Sequence, residues 1–152
     1  MKKILLCTLL TLLCFNTANA TWTVKELSDN QIAAYALGEA NLYNRVIFFF
    51  RKENCGKPAH YFVLNTKSSK EELPILVNGI KSIVPITKSG QTASGKNIIL
   101  LFNGYNSPET FVSYFSKKDQ VDIRVPDINI REHFDVSGIQ AVFRGAMELC
   151  LE

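Results

Sequence analysis

Histidine is scarce in this chain, with only His60 and His133 among 152 residues. That leaves little material for a histidine-based metal or acid–base centre. Neither sign of charge dominates, with 17 Lys+Arg against 14 Asp+Glu. A strongly basic face for nucleic acid therefore has no general electrostatic basis. Glycine and proline are few, at 8 and 5, which excludes a collagen-like repeat, and no low-complexity tract or linker divides the chain. No apolar run reaches the roughly twenty residues that a membrane-crossing helix needs. At 47% hydrophobic and 20% charged residues, the composition is that of one globular domain.

The longest apolar run stands at the N-terminus. Lys2 and Lys3 precede Ile4 to Phe15, and Ala18-Asn19-Ala20 follows as a small-x-small cleavage site before Thr21. This order is that of a secretory signal peptide of bacterial proportions over residues 1–20. Cys7 and Cys14 each follow a leucine, which does not fit a lipoprotein site. Cleavage leaves residues 21–152 as a single globular domain of 132 residues and lowers the net charge from +3 to +1. A domain of that size buries about two-thirds of its unfolded surface.

Of the four cysteines, two leave with the signal, and Cys55 and Cys150 remain. An even pair in an oxidising compartment is expected to form one disulfide. Cys55 and His60 lack the further ligands a metal site requires.

Trp22-Thr23-Val24 reads as a short strand. Ser28 to Gln31 has the form of a capping box, yet Ile32 to Leu37 suits a strand equally, and both readings stay open. Arg45–Arg51 and His60–Asn65 are β-branched and aromatic runs joined by turn residues, which predicts a long-looped hairpin. Val46 to Phe50 is apolar throughout, as in a strand covered on both faces. Ile75–Val77, Ile80–Ile86 (interrupted by Pro85) and Lys96–Phe102 are further strand candidates. Ser107-Pro108-Glu109-Thr110 starts a helix that carries Phe111, Val112, Tyr114 and Phe115 and ends near Lys117-Lys118. Gln120–Val125 alternates as a strand. Asp135 or Ser137 is expected to cap a last helix with Ile139, Val142, Phe143, Ala146, Met147 and Cys150 at helical spacing. The sum is an α+β fold, an antiparallel, sandwich-like sheet with two or three helices, the last two near the C-terminus.

Gly90 to Lys96 matches the first seven positions of a phosphate-binding loop. Asn97 stands where the magnesium-binding hydroxyl belongs, and a strand-forming run follows instead of a helix. We read it as a hairpin turn. His133 with Asp135 could supply a base and its orienter, but no nucleophile signature accompanies them. Asp119, Asp122 and Asp127 lack the spacing of a calcium loop. No cofactor is implied.

Phe134-Asp135-Val136-Ser137-Gly138-Ile139-Gln140-Ala141, with the closing Leu149-Cys150, resembles the ending of small exported bacterial proteins of the invasion-associated locus B and type VI accessory VasI-like kind. The resemblance covers about twenty residues and lacks the family's mid-chain Arg-x-Asp strand motif, so no functional residue carries over. It implies an exported, non-enzymatic accessory or host-interaction factor on a β-sandwich-like body.

The expected function is therefore an exported binding protein, periplasmic or secreted, without chemistry of its own. A periplasmic inhibitor or immunity protein that inserts a loop into an enzyme is the alternative, and a small hydrolase using His133 comes third. No acid lies between Glu72 and Glu109, whereas Lys81, Lys88 and Lys96 do. If Lys88 and Lys96 flank the Gly90–Gly95 turn, these lysines form a sheet edge that attracts an anionic protein, lipid or glycan. The same lysines would also guard that edge from aggregation.

Overall fold

The computed structural model describes residues 22–66, 72–87, 98–100 and 107–152. The expected signal peptide lies outside these residues, as do Lys88, Lys96 and the Gly90–Gly95 turn. β1 (Thr23–Ser28), β2 (Gln31–Leu37), β3 (Arg45–Arg51) and β4 (Ala59–Leu64) form an antiparallel meander. β5 (Glu72–Val77) and β6 (Ile80–Thr87) make a hairpin, followed by β7 (Ile98–Leu100), α1 (Pro108–Phe115), β8 (Gln120–Val125), β9 (Ile130–Asp135) and α2 (Ile139–Leu151). The strand order is β1-β2-β3-β4-β7-β6-β5-β8-β9. β6 joins the two antiparallel sheets, pairing with β5 as far as Pro85 and with β7 from Ile86. Pro85 thus sits where the strand changes partner, so a proline missing its N–H is tolerated without ending the strand.

The sheets curl until distant strands meet. Gly38, just past β2, bridges to Phe134 of β9, and the Glu39 amide donates to the His133 carbonyl at 2.9 Å. This gives the α+β, sandwich-like architecture, with two helices among the described residues. Alternation in β5 and β8 puts Leu73, Ile75, Val77, Val121, Ile123 and Val125 in the core. Phe48, Phe62, Phe111, Phe115 and Phe134 are fully buried, and Phe143 nearly so. Phe48 meets Phe111 and Phe143 edge-on at 5.5 and 5.2 Å, and Phe62 lies 5.6 Å from both Phe111 and Phe134. Each such ring contributes about 1.5–3 kcal/mol through burial.

The two readings of Ile32–Leu37 resolve to strand. β2 pairs with β3 without a slip from Gln31↔Arg51 to Leu37↔Arg45. Seven consecutive pairs with a β-branched and aromatic partner outweigh the weak helical preference of three alanines. Those alanines are buried, and α2 packs on β2. α1 forms as expected: Ser107 Oγ accepts from the Thr110 amide at 3.2 Å, with Pro108 in the first turn.

The start of α2 differs from expectation. Its N-cap is Gly138 in the left-handed region (φ 74°), with no side-chain cap. Asp135 instead accepts from the Ser137 amide (3.0 Å) and hydroxyl (2.7 Å), tightening the turn before the helix. Asp135 is still in β9 and cannot reach the helix's first amides. The segment from Ile130 is a strand that the helix-start reading obscured.

Cys55 and Cys150 form the expected disulfide, with Cα atoms 5.8 Å apart and a sequence separation of 95. It ties the short 3-10 turn after β3 (Lys52–Asn54) to the last turn of α2. Both cysteines are buried.

Candidate functional site

The most elaborate polar arrangement surrounds Glu132. In β9, Phe134 faces the core, so a period of two turns Glu132 inward as well, where it is completely buried. A buried carboxylate is costly unless donors surround it. Here Oε1 accepts from the Ala40 amide at 2.8 Å and the His133 amide at 3.0 Å. Oε2 accepts from the Asn41 amide at 3.1 Å and from Asn44 Nδ2 at 2.6 Å. Asn44 Oδ1 in turn accepts from the Asn65 amide at 2.7 Å. Gly38 is required here, because a Cβ at that position would lie 2.5 Å from Glu132 Cδ.

These bonds organise the loop of residues 38–44 between β2 and β3. The loop adds its own links: Gly38 amide to Asn44 carbonyl (2.8 Å), Asn44 amide to Asn41 carbonyl (2.8 Å) and Tyr43 amide to Asn41 Oδ1 (2.9 Å). At its tip Leu42 and Tyr43 are 68% and 67% exposed. A hydrogen-bonded backbone thus presents two large side chains to solvent. Sequence reasoning missed this and gave Glu132 no role. The available signal was the parity of β9, since Phe134 and Glu132 must share a face.

The outer face of β8 and β9 carries a separate charge cluster. Asp122 receives Arg124 through two bonds of 3.1 Å, Arg131 at 3.5 Å and His133 Nδ1 at 3.8 Å. The Arg124 hydrogen bond holds the Asp122 carboxyl below its ordinary pKa, with partial burial opposing it and the charges of Arg124, His133 and Arg131 adding to it. The same contact raises Arg124. His133 therefore faces Asp122 across the strand pair, while Asp135 is engaged with Ser137. The His133–Asp135 pairing that a hydrolase reading would need does not form.

Lys81 is exposed on β6, opposite Leu76 of β5. With Lys88 and Lys96 outside the described residues, convergence of the three lysines has no structural counterpart here. Between α1 and α2 lies an open groove of about 260 Å³, lined in part by Val112, Phe143 and Met147. Among the described residues no group of three His, Cys, Asp or Glu side chains could hold a metal ion, and no helix is long and apolar enough to cross a membrane. No protein family, curated protein or solved structure matches this chain.

Proposed function

We propose that this chain is an exported bacterial binding protein without catalytic chemistry, which engages a partner protein through the loop of residues 38–44. One observation carries this reading: a fully buried carboxylate with four donors fixes a loop whose two largest apolar side chains remain in solvent. Binding through a pre-ordered loop avoids the entropy cost of ordering it at the interface. Exposed tyrosine is enriched among residues that dominate interface energetics. Export is supported by the N-terminal Lys2-Lys3, Ile4–Phe15 and Ala18-Asn19-Ala20 sequence and by the buried Cys55–Cys150 disulfide, which suits an oxidising compartment. A projecting rigid loop equally suits an inhibitor or immunity protein that plugs an enzyme cleft, a special case of the same mode.

A photo-crosslinking residue placed at Tyr43, and separately at exposed Glu148 on α2, tests the proposal in the native cell. Irradiation should give one discrete adduct from position 43, lost with Leu42→Ala, and none from position 148. No adduct at 43, or identical adducts at both positions, overturns it.

A further inference from the structure

The face of β1–β4 turned away from both helices combines aromatic and cationic side chains. The register places Tyr35, Ile47 and Tyr61 side by side across β2, β3 and β4, with Ala33, Phe49 and Ala59 as the next row. The Phe49 and Tyr61 ring centroids are 6.0 Å apart. Tyr35, Phe49 and Tyr61 are half-buried, and Ile47 and Ala33 between them are buried. α1 and α2 pack on the opposite side, where Phe48 meets Phe111 and Phe143.

Cations frame this aromatic centre. Arg45 and Arg51 stand at the two ends of β3 on the same face, and Lys25 of edge strand β1 lies in the Phe49 row through its pairing with Ala33. None of the three has a carboxylate within 4.0 Å among the described residues. Arg45 extends over the Tyr35 ring, 5.4 Å from its centroid, with Nε sealed from solvent and unpartnered. No acid occupies a strand position of this face. The acids at its ends, Asp29, Glu39 and Glu53, belong to the connecting turns.

We infer that this face binds an anionic polysaccharide built from uronic acid units. Apolar C–H faces of pyranose rings match the exposed parts of half-buried aromatic side chains, and guanidinium groups match carboxylates with bidentate geometry. Arg45 and Arg51 are six residue steps apart along β3, about 20 Å, the length of a few linked sugar rings. A membrane surface fits less well, because three basic side chains give only weak attachment to anionic lipid. This site is independent of the partner proposed for the loop, and either can fail without the other.

The test uses the mature, disulfide-bonded protein in calorimetric titrations with oligomers of polygalacturonate, alginate and hyaluronate. Neutral galactan oligomers, polyglutamate and phosphatidylglycerol vesicles serve as comparisons. At least one uronate oligomer should bind, with affinity falling as salt rises. Arg45→Gln, Arg51→Gln and Tyr61→Ala should each weaken it about tenfold, as expected for loss of one strong contact. Lys81→Gln, on a different strand pair, should leave it unchanged, and unaltered circular dichroism should show each variant folded. Absence of uronate binding overturns the inference. So does equal binding of polyglutamate with indifference to Tyr61→Ala, which marks a charge-only surface, or preference for the vesicles.

Discussion

Glu132 is where a single side chain governs the most structure. Removing it with Glu132→Ala strips the Ala40, Asn41 and His133 amides of their acceptor. The buried Asn44 Nδ2 also loses its acceptor, and with the three part-buried amides the variant should lose about 3–5 kcal/mol in chemical denaturation. Gly38→Ala, whose new methyl would collide with the Glu132 carboxylate, should cost about 1–3 kcal/mol by forcing the two apart. In both variants, hydrogen exchange at Ala40, Asn41 and Asn44 should accelerate more than exchange in β3, because the loop loses its anchor before the sheet does. Unchanged exchange in the loop would mean that the carboxylate does not order it.

Asp122 gives the residue scale a pH dependence. Its pKa is depressed in the fold, chiefly by the Arg124 hydrogen bond. A group with a lowered folded pKa contributes stability above its ordinary value, here 3.8, and that contribution disappears as pH falls below it through the folded value. Thermal unfolding compared at about pH 6 and about pH 3 should show a smaller acid loss for Asp122→Asn than for the unsubstituted protein. A larger acid loss in the variant would contradict the assignment.

At the scale of elements, legibility followed the strength of the local pattern. β3, β4 and β8 carry runs of branched and aromatic residues or clean alternation, and α1 carries serine, proline and an acid in order, so each could be read directly. β9 could not, because Glu132 at an inward position breaks the apolar alternation of Ile130–Asp135 and its end runs into the turn before α2. β2 was ambiguous because alanine suits either state, and only pairing with β3 decides it. The Asn78-Gly79 turn between β5 and β6, with φ values of 50° and 80°, has the residues of a tight hairpin turn. Asn78 also mimics backbone, its Oδ1 accepting from the Asp122 amide at 2.9 Å and its own amide donating to the Asp122 carbonyl at 2.8 Å. That substitution of side chain for ladder has no periodicity to betray it.

The disulfide was the most legible element-level feature, since only two cysteines remain after residue 20. It closes 95 residues of chain, which the chain-entropy account values at about 4–5 kcal/mol before native strain is subtracted. Cys150→Ser should therefore lower stability by about 2–5 kcal/mol. Because the bridge holds the end of α2 against the turn after β3, the loss should appear first as faster exchange in the last turn of α2. Non-reducing peptide mapping of the native protein should recover one linked pair, and two alkylatable thiols would refute the bridge.

On the scale of the whole molecule, the candidate surfaces are set by long-range closure that no local pattern encodes. Glu132 reaches the loop only because the sheets curl until β9 meets the end of β2. The cationic face exists only because the β2–β3 and β3–β4 registers align Tyr35, Ile47 and Tyr61. Lys81, Lys88 and Lys96 follow one another along one stretch of chain, whereas the acid-free face draws on four separate strands.

Whole-molecule assembly also links folding to compartment. If residues 1–20 direct export, the protein reaches an oxidising space in which Cys55 and Cys150 can pair, and the pair in turn secures α2 over β2 and β3. Protein recovered from the periplasm or medium should then have an intact mass that begins at Thr21 and is two hydrogens short of the dithiol form. The same chain expressed without residues 2–20 should remain in the reducing cytoplasm with both thiols free and unfold at lower denaturant concentration, by about 2–5 kcal/mol of stability. A retained Met1 or a lipid-modified cysteine on the exported protein would contradict cleavage. An oxidised pair formed equally well in the cytoplasm would sever the link between export and the bridge, because the thiols would then pair without the oxidising compartment on which the argument depends.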